Sequence, residues 1–142
     1  MSNWEAFKET MAEPVTLWSA AKHNDVFQLL RLLDEGADLE AKDARGYSPL
    51  MLAAYAGHAE AFELLLSRGA DRDSRDFAGN SVLMGVAFKG HLALVQRLLD
   101  EGADLTARNQ HGLDARGFAA TFGRHDVVAL IDAYTHEQGE HA

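Results

Sequence analysis

The sequence predicts an all-α fold, a solenoid of helix-turn-helix units with projecting turns between them, and three sets of residues predict it. Gly36-Ala37-Asp38, Gly69-Ala70-Asp71 and Gly102-Ala103-Asp104 recur at a spacing of 33 residues. In the same register stand the small pairs Ala20-Ala21, Ala53-Ala54, Val86-Ala87 and Ala119-Ala120, and the turn formers Asn24, Gly57, Gly90 and Gly123. A fixed period of that length marks stacked supersecondary modules, each burying its apolar face only against its neighbours. The small pairs let two helices approach closely, and asparagine comes nearest to glycine in tolerating a left-handed backbone.

Taken in order, residues 1–13 stand outside the period. Trp4, Phe7 and Met11 fall at helical spacing and Ser2 with Glu5 has the spacing of a capping box, so a short amphipathic helix is expected there. Pro14 breaks it. Its apolar stripe suits an N-terminal cap over the first unit, with a partner-binding arm as the alternative. The units are expected at about 14–42, 43–75, 76–108 and 109–134, followed by a polar tail at 135–142.

In the central unit, Ser48 sits where an N-cap belongs and Pro49 at the first helical position, where a missing N–H costs nothing. A short helix then runs over Leu50 to Ala56. Gly57 turns the chain, and Glu60 to Ser67 forms a second helix with an apolar face of Leu64, Leu65 and Leu66. Asp71 to Gly79 is polar and closed by glycine, as a projecting turn should be. Asp43, Asp76 and Asn109 each precede a turn glycine by three residues, placed to accept hydrogen bonds from nearby backbone N–H groups.

Composition narrows the function. The chain has 142 residues, no cysteine and a formal net charge of -9. Disulfides, thiolate metal sites and thiol nucleophiles are excluded, and a reducing compartment is compatible. With no leader-like start and no apolar run of about 18 residues, a soluble cytoplasmic protein is expected. The acidity argues against binding nucleic acid or an anionic membrane.

Ser48-Pro49-Leu50-Met51-Leu52-Ala53-Ala54, with Gly57-His58 and Gly69-Ala70-Asp71 in register, resembles the ankyrin repeat, whose signature is a 33-residue unit of a β-turn and two helices with a T-P-L-H-x-A string. The resemblance covers residues 14–134 and implies a right-handed stack of about four units. Trp18, Met51, Met84 and Gly117 depart from it, standing where the family has histidine, so the inter-repeat hydrogen bonds of that histidine are not expected. In the last unit Asp114-Ala115-Arg116-Gly117 replaces the capped, leucine-bearing start. Asp132 stands where Leu33, Leu66 and Leu99 do, so this face is expected to meet water and end the stack. Gln28, in register with Leu94 and Val127, suits the opposite cap.

The candidate chemistry is sparse. His58 and His91 follow the turn glycines, where the ankyrin pattern itself places histidine. His111, His125, His136 and His141 form no metal-binding cluster on one helix. Asp71 and Asp73 are interleaved with Arg72 and Arg75 and lack the glutamate of a calcium loop. The glycines are all assigned to turns, and no phosphate loop or nucleophile elbow is present. No catalytic residue, cofactor or metal is expected.

The surface is more informative. The resemblance implies binding by the projecting turns and the exposed ends of the first helices, which line the concave face. Along those ends run Lys22, Tyr55, Phe88 and Thr121, and beside them His23, Ala56, Lys89 and Phe122. Aromatics with adjacent cations are the makings of an interface. Lys42, Arg75 and Arg108 recur at the bases of the turns, with Arg45, Tyr47, Phe77 and His111 nearby. Two readings of this basic column stand: Arg forks for an acidic or phosphorylated segment, or solvated pairs with the neighbouring turn acids. The opposite edge, with Asp34-Glu35 and Asp100-Glu101, reads as solvated.

The expectation is a monomeric, non-enzymatic protein-protein interaction module. A dedicated regulator or inhibitor of a single enzyme is the alternative.

Overall fold

The computed structural model describes residues 14–140. The capping helix predicted for residues 1–13 lies outside the described residues. Among the described residues the fold is all-α: α1 (Leu17–Lys22), α2 (Val26–Asp34), α3 (Pro49–Tyr55), α4 (Ala59–Ser67), α5 (Val82–Lys89), α6 (Leu92–Asp100), α7 (Ala115–Thr121) and α8 (His125–Glu140). They pair as α1/α2, α3/α4, α5/α6 and α7/α8, one pair to each predicted unit.

Side-chain caps fix where the first helices start. Thr16, Ser48 and Ser81 accept from the backbone N–H three residues on, at 3.1 to 3.2 Å. Each such cap contributes about 1 kcal/mol. The last unit departs from expectation here: Asp114 accepts from Gly117 N–H at 2.8 Å, so α7 is capped although its sequence lacks the serine and leucine of its relatives. Between the helices of the first pair, Asn24 takes a left-handed φ of 57°. Its side chain also accepts from Ala61 N–H at 3.1 Å, so it turns the chain and ties the first unit to the second.

The first helices pack α1 on α3 on α5 on α7 more closely than the second helices pack on one another. Ala20, Ala21, Ala53, Ala54, Ala87 and Ala119 are the reason, all buried with no bulk to hold the backbones apart. Closer spacing on that side makes it concave. Phe62, Leu29, Leu65, Leu98 and Leu99 fill the space between layers.

The substitutions at the family's histidine position act differently from one another. Met51 and Met84 are fully buried and pack, whereas Trp18 donates from Nε1 to Ala41 O at 2.8 Å and restores a long-range hydrogen bond. Below Met51, the buried hydroxyls of Ser48 and Ser74 bond at 3.0 Å, so neither is left unsatisfied.

In the projecting turns, Asp43, Asp76 and Asn109 each accept two backbone N–H bonds, from Arg45 and Tyr47, from Ala78 and Asn80, and from His111 and Leu113, at 2.9 to 3.1 Å. Adjacent turns are joined directly: Phe77 N–H donates to Arg45 O and Gln110 N–H to Ala78 O. The turns are therefore a continuous edge.

At the C-terminal face Asp132 is exposed, as expected, and Arg116 forks onto it with bonds of 2.6 and 3.0 Å. Beyond it, α8 continues through the polar residues to Glu140 where the sequence predicts a tail.

Candidate functional site

On the concave side a cleft of about 460 Å³ opens between the ends of the first helices and the turn edge. Lys22 of α1, Arg45 and Tyr47 of the first projecting turn, Tyr55 of α3, Phe88 and Lys89 of α5, and Phe118 of α7 line it, with Asp76 and Asn80. The repeat register puts them there, since equivalent positions of successive units fall side by side.

Two aromatic groups build the walls. Tyr47 and Tyr55 meet edge to face, with centroids 5.5 Å apart, and the Arg45 guanidinium lies 4.6 Å above the Tyr47 ring. Phe122 packs edge-on against Phe88 at 4.8 Å and tilted against Phe118 at 5.0 Å. Such pairs each contribute about 0.5 to 1.5 kcal/mol beyond burial, so the walls are preformed.

The Tyr55 ring lies in a notch at Gly85, on which a Cβ would overlap it. Its hydroxyl points at Ser81 O from 3.5 Å, long for an O–H donor. Burial, with the charge of Asp76 and the nearby Tyr47 adding to it, pushes the Tyr55 phenol well above its ordinary value, so it stays neutral. Gly85 is thus a packing glycine inside α5, not one of the turn glycines to which the sequence reading assigns them all.

The predicted residues separate into those the cleft brings together and those it does not. Arg45, Tyr47, Tyr55, Phe88 and Lys89 line it. Phe122 stands at its Phe88/Phe118 end, 50% exposed, whereas Tyr55 and Phe88 are partly buried and also hold the repeats together. Phe77 is 67% exposed in the second turn, where its backbone N and the near edge of its side chain take the space a Cβ at Gly46 would need. His111 is exposed at the third turn and does not line the cleft.

In the structure each side chain of the basic column donates to a backbone carbonyl. Lys42 Nζ donates to Arg75 O, Arg75 to Arg108 O at 3.3 Å, and Arg108 to Gly112 O at 2.8 Å. Asp43 and Asp76, the acids expected to pair with it, are occupied by their own turns. Lys42 and Arg75 thus link one turn to the next, and Arg108 closes its own turn.

Sequence reasoning missed two parts of the cleft. Phe118 stands four residues before Phe122 in the last unit, the spacing at which helical side chains meet. Gly85 is an isolated glycine in an apolar helical stretch, a sign of close packing. Among the described residues no group of three or more histidine and carboxylate side chains is placed to hold a metal ion, and no helix is long and apolar enough to cross a membrane.

The sequence model of a family described as ankyrin repeats matches residues 17–109 as three copies. The chain belongs to the ankyrin repeat family. A search of curated proteins finds no significant match. Ankyrin repeats are in general protein-protein interaction modules. The fourth pair of helices lies past the matched residues yet keeps the ankyrin register, with Gly123 at a φ of 72°. Arg124, in the column of His91, donates to Phe88 O at 2.6 Å just as His91 Nε2 meets Tyr55 O at 3.1 Å. The cleft therefore spans all four units of the ankyrin stack.

Proposed function

We propose that this ankyrin slab is a non-enzymatic interaction module that holds one protein partner along its concave cleft and projecting turns. The observation that carries the reading is the cleft itself, aromatic on its walls, flanked by cations and shaped before any partner arrives. A preformed surface avoids much of the ordering cost of association. The binding set is Tyr47, Tyr55, Phe88, Lys89 and Phe122 in and beside the cleft, with Arg45, Phe77 and His111 along the turn tips. Lys42, Arg75 and Arg108 set the turns in place and offer their remaining N–H donors to the same partner.

The slab comprises four units at about 14–42, 43–75, 76–108 and 109–134, acts as a monomer and works in the cytoplasm. The lack of cysteine supports that compartment.

Affinity capture with the full chain, followed by identification of the tightest protein recovered, tests the reading. Recovery should fall sharply with Phe88→Ala/Phe122→Ala, a variant whose helical circular dichroism is checked alongside. Undiminished recovery by the folded variant would sink the cleft as the binding surface.

A further inference from the structure

The described lysines and arginines fall into three sets. Arg31, Arg68, Arg72, Arg97 and Arg116 pair with carboxylates. Lys42, Arg75, Arg108 and Arg124 donate to backbone carbonyls. Lys22, Arg45 and Lys89 do neither, and all three line the cleft. Arg45 touches only a ring face, which leaves the N–H groups at its edge open.

The one carboxylate in the cleft does not balance them. Asp76 is 9% exposed, and its two oxygens accept from the N–H groups of Ala78 and Asn80 and from the Asn80 side chain. In a chain of net charge -9, the uncommitted lysines and arginines among the described residues thus face a single aromatic hollow.

We infer that the cleft recognises an acidic protein segment carrying one aromatic or aliphatic anchor, which seats among Tyr47, Tyr55, Phe88 and Phe118 while flanking carboxylates pair with Lys22, Arg45 and Lys89. The inference rests on the groove reading above and gives its partner a chemistry. Carboxylates are favoured over a phosphate because a phosphate's three oxygens are best met by several arginine forks on one group, whereas this cleft offers one fork and two lysine point charges, which suit separate single charges. The cation set also differs from the turn-base column, whose members are already bonded to carbonyls. Lys22 and Lys89 sit in the last turns of α1 and α5, where cations favour the helix dipole. That accounts for neither Arg45 nor the convergence of all three on one hollow.

The test uses the full chain and short fluorescein-labelled peptides, read by fluorescence anisotropy at low and high salt. One carries a phenylalanine flanked by glutamates. In the others glutamine replaces the glutamates, phosphoserine replaces two of them, or alanine replaces the phenylalanine.

The glutamate-phenylalanine peptide should bind, and the glutamine and alanine versions should bind more weakly. Lys22→Gln/Arg45→Gln/Lys89→Gln should cost on the order of tenfold, since three exposed pairs each supply a factor of about two to three, and should flatten the salt dependence. Circular dichroism checks that the triple variant is folded.

Equal binding of the glutamate and glutamine peptides overturns the acidic preference and leaves the groove reading intact. Tighter binding of the phosphoserine peptide overturns the choice of carboxylate. A triple variant that melts earlier yet binds as before assigns the cations to the helix dipoles and also overturns it. Failure of the glutamate-phenylalanine peptide to bind rejects the inference as well, while the groove reading stands or falls separately on recovery of the captured partner by Phe88→Ala/Phe122→Ala.

Discussion

The ring of Tyr55 fills the space that a side chain at Gly85 would need. Two successive units are locked at this point, and the same ring forms a wall of the cleft. Alanine at a helix interior normally stabilises by about 1 kcal/mol over glycine, but here it must displace the tyrosine. Gly85→Ala should therefore lower stability to urea by about 1 to 3 kcal/mol, the cost of overpacking. Adding Tyr55→Ala should recover part of that loss, so that the double variant loses less than the sum of the singles. A rise in stability for Gly85→Ala alone would contradict the placement.

His91 bridges the same two units. A carbonyl can only accept, so the Nε2 that lies 3.1 Å from Tyr55 O must carry the proton. His91→Ala should cost about 1 kcal/mol in urea denaturation. In the same column one unit later, Arg124→Ala should also destabilise, because Phe88 O loses its donor.

Burial separates two leucines at consecutive second helices. Leu65 is fully buried, while Leu92 is 39% exposed. Leu65→Ala should cost about 2 to 5 kcal/mol and Leu92→Ala far less. Comparable losses would mean that the layer between second helices is not packed as described.

At the C-terminal face, the hydrogen bonds of Arg116, together with its charge, hold the Asp132 carboxyl below the ordinary carboxylate range. A group depressed in the folded state contributes stability above its unfolded pKa and loses it as pH falls through the folded one. The melting temperatures of the native chain and Arg116→Gln should thus differ by a constant small amount near neutral pH. The gap should close in acid, below the usual carboxylate pKa. A gap that widens on acidification would contradict the pairing.

Much of this was legible because a solenoid reuses one local solution. Ser48, Pro49 and Gly57 state their roles within a few residues of themselves, and repetition at a fixed period confirms each one. The two helices of the central unit, expected over Leu50–Ala56 and Glu60–Ser67, consequently fall at Pro49–Tyr55 and Ala59–Ser67, within a residue of expectation. The aromatic and basic columns were legible as columns for the same reason. What each column touches was not. Lys42 and Arg75 find carbonyls one repeat on, a choice set by the offset between turns, whereas Arg108 bonds a carbonyl of its own turn. Asp114 caps α7 through a hydrogen bond that any of several polar residues could make, and α8 runs on through polar residues because nothing in them breaks a helix.

The sequence by itself determined the repeat, its register, the turn positions and which residue types recur along each edge, since these depend on local backbone preference and on periodic burial. Only the tertiary structure decided which charges are spent and which are free. Among the described residues it turned four lysines and arginines onto carbonyls, paired five with acids, and gathered Lys22, Arg45 and Lys89 around an aromatic hollow notched by Gly85. The physical reason is that a side chain's partner is fixed by the distance and angle between stacked units, which no spacing along one chain encodes.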